Sequence, residues 1–240
     1  MPTISVKDGG SFKEAKEIFV KDAGTFKTVK EVYVKDAGDW KKAYPESGTQ
    51  VYSTAGTYSF TVPNGIYSLT VPLLVAAGGG GGGEQSSGDS FRGGSGGAGG
   101  YYENQTIAVT PAEVLTIVVG AGGGSGSAQF NSFVYCAGTS GSRNGGAGGL
   151  SSISRGGTSL LSATGGGGGT GAANNFNSAG GTAGSPNGVA GTSGGTVFNN
   201  YSPVAGATNG KGYGSGGQSN GFNPTACPAV GGTGYISLSW

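Results

Sequence analysis

The chain has 240 residues, enough for one moderate domain or two small ones, and 56 of them are glycine, about three times the usual ~7% share. Charged residues make up only 10%, and a net charge of +1 gives neither a basic face for nucleic acid nor an acidic tail. With no histidine and only two cysteines, the chain lacks the commonest general base and the ligands of a structural zinc site, so neither an enzyme nor a metal or cofactor protein is expected.

The N-terminus, MPTISVKDGG, carries charge but no apolar core, so no cleaved leader is expected there. No apolar run reaches the ~18 residues of a membrane span, and membrane insertion is not expected. Residues 4–17 (ISVKDGGSFKEAKE), 18–31 (IFVKDAGTFKTVKE) and 32–45 (VYVKDAGDWKKAYP) repeat a unit of 14 residues without a gap. Each unit reads as a β-hairpin, with Gly10, Gly24 and Gly38 placed for positive φ in the turn. Phe12, Phe26 and Trp40 sit on the second strand, and their mutual burial would hold the three hairpins together. A pseudo-threefold module and a meander without symmetry both fit this pattern.

Nine of the 13 basic and eight of the 12 acidic residues lie in residues 1–46, and no acidic residue occurs after Glu113. This contrast divides the chain into a charged three-repeat hairpin module, 1–46, and a glycine-rich domain, 47–240, joined through Tyr44-Pro45-Glu46-Ser47-Gly48. The second region opens with alternating strands at 58–62 and 67–71, joined by Pro63-Asn64-Gly65 and expected to pair as a hairpin. A second pair is expected at 105–109 and 115–119, around Thr110–Glu113. The chain closes on another alternating strand, Gly234–Trp240. Glycine-rich composition by itself is compatible with disorder, but a disordered segment has no reason to be framed by amphipathic strands.

Between the strands, residues 93–100 (GGSGGAGG) and 145–149 (GGAGG) have a period of three. That is the period of the polyproline-II conformation, which has no internal hydrogen bonds. Buried helices of this kind must therefore bond to one another. Glycine permits the close approach, and Cα–H···O contacts of about 0.5–1 kcal/mol each add to it. The fold class expected is all-β plus polyglycine-II, with short strands capping a sandwich of packed glycine helices and no substantial α-helix.

The passages LTVPLLVAAGGGGGG (69–83), SATGGGGG (162–169) and GTGYISLSW (232–240) resemble the glycine-rich domains of bacteriophage tail-fibre proteins, in the style of the T-even-type adhesins. The resemblance covers roughly residues 50–240 and rests on composition and pattern; the N-terminal repeats do not match the attachment domain of that group. It implies a non-enzymatic adhesin on the virion, at the tip of a tail fibre, made in the host cytoplasm and acting outside the cell. Its partners would be a bacterial outer-surface receptor, either an outer-membrane protein or a surface glycan, and a trimeric tail-fibre shaft protein. Fibre attachment would fall to the N-terminal module with Phe12, Phe26 and Trp40. A non-adhesive structural virion protein, such as a fibre, collar or baseplate component, is the alternative.

If successive glycine helices alternate in direction, 77–83, 121–127 and 165–172 run outward from the strands, and 93–100 and 145–149 return. The far end then receives loops 84–92, 128–144, 173–178 and 218–230, while the path through 179–217, including Phe198–Tyr201, stays open. These loops hold Phe91, Phe130, Phe133, Tyr135, Phe176 and Phe222 beside Asn131, Asn174, Asn175, Asn177, Asn220 and Asn223. Rigid aromatics among small polar residues are what binding loops use. The candidate receptor-binding set is Phe91, Phe130, Asn131, Phe133, Tyr135, Asn175, Phe176, Phe222 and Asn223, although inward packing over the helix ends would occupy some of these rings. Cys136 and Cys227 both fall in far loops and can meet there, as a disulfide suited to an extracellular surface or as two unpaired thiols.

Overall fold

The structure, a computed structural model of the chain, describes residues 5–8, 10–14, 18–29, 32–36, 38–44, 47–83, 85–86, 93–130, 133–172, 178–194, 204–219 and 227–240. Among these residues it is all-β, with no α-helix. β1 (Ser5–Asp8) pairs with β2 (Ser11–Glu14), β3 (Phe19–Asp22) with β4 (Thr25–Thr28), and β5 (Val32–Asp36) with β6 (Asp39–Tyr44). Each pair is antiparallel and forms its own two-stranded sheet. The turn of β3–β4 has positive φ at both central residues, Ala23 (47°) and Gly24 (85°). This is the reversal whose twist matches a two-residue hairpin, and glycine takes the second position without a Cβ clash.

The expected mutual burial of the repeat aromatics does not occur where side chains are described. Phe26 is 68% and Trp40 is 66% exposed. Each ring instead faces a lysine of its own hairpin: Lys21 Nζ lies 5.6 Å from the Phe26 centroid and Lys35 Nζ 5.9 Å from that of Trp40. These are cross-strand partners in register. Each unit closes its ladder within itself, and among the described residues no backbone bond joins one unit to the next. Of Phe12 only the backbone, in β2, is described.

The remaining strands are β7 (Thr49–Tyr52), β8 (Gly56–Thr61), β9 (Ser68–Val75), β10 (Gln85–Ser86), β11 (Tyr101–Ala108), β12 (Val114–Val119), β13 (Ala128–Phe130), β14 (Phe133–Cys136), β15 (Ser151–Arg155), β16 (Thr158–Ala163) and β17 (Tyr235–Ser239). Two four-stranded antiparallel sheets, β11-β9-β17-β7 and β16-β15-β12-β8, share one core. Alternation sends Leu69 and Val71, Leu115 and Ile117, Ile153, and Ile236 and Leu238 inward, and past Pro72, where the alternation of β9 breaks, Leu74 and Val75 are fully buried as well. Each such side chain contributes about 1.5–3 kcal/mol relative to exposure.

Both hairpins expected at the start of this region are corrected. β8 and β9 lie in different sheets, and so do β11 and β12. The Pro63–Gly65 turn, closed by Ile66 N donating to Pro63 O at 3.2 Å, carries the chain across the core rather than along one ladder. Turn chemistry specifies a reversal. It does not say whether the second strand bonds to the first or packs opposite it, and here Phe60 and Leu69 bury into one core from opposite sheets.

Glu113, in the second of these crossings, accepts from Thr110 N and Oγ1, both at 3.1 Å, and from Arg155 Nη2 at 2.8 Å. Hydrogen bonding from Arg155, aided by Thr110, holds its carboxyl below the ordinary value of 4.5 against some desolvation. A depressed folded pKa adds stability above the unfolded value and loses it as pH falls through the folded one. Stability is therefore expected to decline below about pH 4.5, and Glu113→Gln to flatten that part of the curve in denaturation series at pH 2.5–7. An unchanged slope in the variant would remove Glu113 from this role.

Beyond the sheets, strands run directly into glycine segments. Gly78, Gly79 and Gly80 donate to Gly232 O, Gly97 O and Gly146 O, each at 2.9 Å, and Gly81, Gly82 and Gly83 return in the same order to Ala229 O, Gly94 O and Arg143 O at 3.0, 2.9 and 2.8 Å. Their carbonyls accept from three further segments: Gly78 and Gly81 from Gly123 and Gly126, Gly79 from Gly217, and Gly80 and Gly83 from Gly169 and Ala172. A period of three with every bond between segments is the arrangement expected of packed polyglycine-II helices. Residues 76–83 and 93–100 are wholly buried at its centre.

These glycines are not in the positive-φ set; what selects them is the missing Cβ. A Cβ on Gly79, Gly80 or Gly81 would run into the carbonyl of Gly167, Gly124 or Gln218, three different neighbours in turn. Where the triplet pattern slips, hydroxyls take the place of carbonyls. Ser95 Oγ accepts from Thr192 N at 2.8 Å, Ser151 Oγ from Gly120 N at 3.0 Å and Thr139 Oγ1 from Ser125 N at 2.9 Å. This keeps buried backbone donors paired.

Candidate functional site

The lattice has two ends of different character. At one end lie the sheets, together with the turns through Gly156-Gly157, Ser185–Gly188 and 208–213. Pro186 O accepts from Tyr101 N at 2.8 Å, and Lys211 Nζ reaches Glu103 at 2.8 Å, fixing two of these turns to the β11 strand. At the other end the bonded levels stop at Gly83 with Arg143, Gly94 with Thr170, Gly194 with Ser178, Ser219 with Val204, and Ala229 with Gln218. The chain therefore leaves the lattice there after residues 83, 127, 172, 194 and 219, and re-enters at 93, 143, 178, 204 and 229.

The alternation of direction expected from the sequence is present: 93–100 and 143–149 bond antiparallel to 76–83, while 120–127 and 164–172 bond parallel to it. The sequence leaves the path through 179–217 open, including the 195–203 connection. Its flanks, Gly194 and Val204, both stand at the far end. The missed signal is Ser185-Pro186-Asn187-Gly188, a turn sequence with Asn187 at φ 61° that reverses the chain at the sheet end. Phe198, Asn199, Asn200 and Tyr201 lie outside the described residues.

Among the candidates chosen from sequence, Phe130, Phe133 and Tyr135 lie on the β13–β14 hairpin, where Phe130 is the cross-strand partner of Phe133. β10 adds to this hairpin in parallel, with Gln85 opposite Gln129 and Ser86 opposite Phe130. Two far-end connections are thus joined by main-chain bonds. Phe91, Asn131, Asn174, Asn175, Phe176, Asn177, Asn220, Phe222 and Asn223 lie outside the described residues.

Cys136 and Cys227 form a disulfide, with Cα atoms 5.6 Å apart and a separation of 91 positions in sequence. It ties the β13–β14 hairpin to the connection that re-enters before Ala229, and Cys136 is buried beneath it. The expected far loop 128–144 is shorter than its sequence suggested. After Cys136 the chain turns back along the lattice, where Ser140 N donates to Ser125 O at 3.0 Å, before entering 143–149. Arg143 Nη1 donates to Ala172 O at 3.4 Å, and Asn144 Oδ1 accepts from Gly171 N at 2.7 Å, anchoring this return to the neighbouring segment.

The described residues at this end include Gln85, Gln129, Phe130, Phe133 and Tyr135, on strands joined by main-chain bonds. Among the described residues no group of three histidine, cysteine, aspartate or glutamate side chains is placed to hold a metal ion. Residues 53–239 match the model of a protein family described as a glycine-rich domain. No curated protein matches the chain.

Proposed function

The chain belongs to the glycine-rich domain family, and from that premise we propose that it is a bacteriophage tail-fibre tip adhesin. Its far-end loops bind a bacterial outer-surface receptor, an outer-membrane protein or a surface glycan. Residues 1–46 join it to the virion through a trimeric tail-fibre shaft protein, with Phe12, Phe26 and Trp40 as the attachment aromatics. The glycine-rich domain, 47–240, acts outside the cell after assembly in the host cytoplasm.

The observation that carries this reading is the placement of the long connections. Those leaving after 83, 127, 172, 194 and 219 all emerge at one end of the lattice. The sheets and the chain's entry through Gly48, which exchanges backbone bonds with Trp240, stand at the other. A spacer has no need to collect its long, aromatic connections on one tip. The disulfide between two of them suits an oxidising exterior.

The test is binding of the intact chain to a panel of whole bacteria, beside a variant with residues 130–135 replaced by Gly and Ser. The intact chain is expected to bind its host, and the variant to lose about tenfold or more, the scale of removing one or two aromatic hot-spot residues. An intact chain that binds no cell, together with normal adsorption of phage lacking it, would establish the alternative, a structural virion component.

A further inference from the structure

Asparagine followed by glycine occurs five times, at Asn64-Gly65, Asn144-Gly145, Asn187-Gly188, Asn209-Gly210 and Asn220-Gly221. The pair is chemically reactive. The backbone nitrogen of the glycine can attack the side-chain carbonyl carbon of the asparagine, and glycine has no Cβ to obstruct the approach. The glycine N–H must be free to lose its proton, and the asparagine amide must be free to swing over it. A hydrogen bond on either group has to break first.

Three of the pairs are held. Asn144 Oδ1 accepts from Gly171 N at 2.7 Å, while Gly145 N donates to Gly169 O at 2.8 Å. Asn187 Nδ2 donates to Tyr101 O at 3.2 Å, and Gly188 N to Gly184 O at 3.0 Å. Asn209 Nδ2 donates to Gly99 O and its Oδ1 accepts from Lys211 N, both at 3.1 Å, while Gly210 N donates to Thr208 Oγ1 at 3.0 Å. Asn220-Gly221 lies outside the described residues. Asn64 differs on every count. It is exposed in the Pro63–Gly65 turn, and among the described residues neither its side chain nor Gly65 N has a hydrogen-bond partner. The turn is closed by the single bond from Ile66 N to Pro63 O, and Gly65 stands at φ 81°.

We infer that Asn64 is a site of self-modification, at which the folded chain converts an amide into a carboxylate. Gly65 N bonds to Asn64 Cγ, the Cγ–Nδ2 bond breaks, and ammonia departs with the proton lost from Gly65 N. Water then opens the five-membered imide. Addition at Cγ leaves aspartate. Addition at the backbone carbonyl leaves isoaspartate, whose main chain runs through the side chain and is one carbon longer. Either product places a negative charge on the crossing between the two sheets. Val62 and Ile66, on either side of the turn, are 1% and 3% exposed, and Val62 is tied to the facing turn by bonds to Glu113 O and from Ala112 N. A lengthened backbone is mismatched to these anchors, so the isoaspartate form is expected to be the less stable of the two.

Peptide mass spectrometry of the full chain, held folded in mildly alkaline buffer, tests this, with isoaspartate read by enzymatic methylation. Asn64 is expected to convert at least about tenfold faster than Asn144, Asn187 or Asn209, the scale set by the two or more hydrogen bonds that must open first at each of those. In denaturant the four rates are expected to converge, because the same dipeptide then reacts in each. Conversion at Asn64 no faster than at the three bonded pairs, or an equal spread of rates in denaturant, would overturn the inference. Asn64→Gln, which lengthens the ring to be closed, is expected to remove the product at this turn. No receptor enters the measurement, so its outcome is independent of the adhesin reading.

Discussion

Gly80→Ala is expected to unfold the glycine-rich lattice, whereas Gly146→Ala, on the segment bonded to it, is expected to be tolerated. The new Cβ on Gly80 would enter the Gly124 carbonyl, and both segments are backbone on all sides. Relief requires moving one helix outward. That breaks the Gly80 N to Gly146 O bond at 2.9 Å and strains the Gly169 N to Gly80 O bond, also 2.9 Å. Overpacking costs about 1–3 kcal/mol, and two buried backbone groups left unpaired cost about 1–3 kcal/mol each. The sum, roughly 3–9 kcal/mol, is comparable to the whole stability of a domain. At Gly146 the nearest atom to a new Cβ is Gly124 N at 3.1 Å, a contact that a small shift relieves. There the reduced freedom of the unfolded chain offsets part of the strain, and the change should stay within about 1 kcal/mol. Denaturant titration of the two variants checks this. A Gly80→Ala protein as stable as its parent would show that the lattice does not exclude side chains.

Cys136→Ser with Cys227→Ser is the second large effect. The bridge spans 91 residues, and chain-entropy arguments assign a loop of that size about 4.5 kcal/mol. The midpoint of unfolding should fall by a matching amount, and the parent chain in reductant should behave like the variant. The far end should suffer beyond this. On the adhesin proposal, loss of the bridge leaves the β13–β14 hairpin and the connection before Ala229 to be ordered on binding a receptor, and each 1.4 kcal/mol or so of ordering weakens binding about tenfold. A variant that stays folded but binds cells as well as the parent would separate the bridge from recognition. Together the two predictions probe different levels: Gly80 the packing of the glycine segments, the bridge the connections at the far end.

The hairpin units, the period-three glycine segments and the closing strand were legible in the sequence because each is specified locally. A Lys-Asp-Ala-Gly turn, a triplet spacing or an alternating run constrains its own backbone wherever it is placed. The alternating directions of the first glycine segments enter the sequence reading only as a supposition, which the bonding of 93–100 and 143–149 antiparallel to 76–83 bears out. The opening turns misled. Pro63–Gly65 and Thr110–Glu113 reverse the chain as expected, yet their flanking strands belong to opposite sheets. A reversal is local, while the choice between bonding and facing depends on which other strands compete for the same edge. β17, from the end of the chain, takes the place beside β9.

The same distinction governs the candidate site. Composition and spacing named the aromatics and amides, and the reversal at Ser185–Gly188 brings Gly194 and Val204, the flanks of the 195–203 connection, to the far end. Local chemistry also gave the repeat aromatics their strand positions. It did not leave Phe26 and Trp40 exposed, because burial is a property of what lies opposite a face, and a hairpin that completes its own hydrogen bonds is indifferent to its neighbours. Nor did any local signal join Cys136 to Cys227: sequence placed both at one end, but only the packing of 120–127 and 229–234 around 76–83 brings their Cα atoms to 5.6 Å. What a residue can do was written in its neighbours along the chain; which residues act together was decided by a lattice in which every buried hydrogen bond is made to another segment.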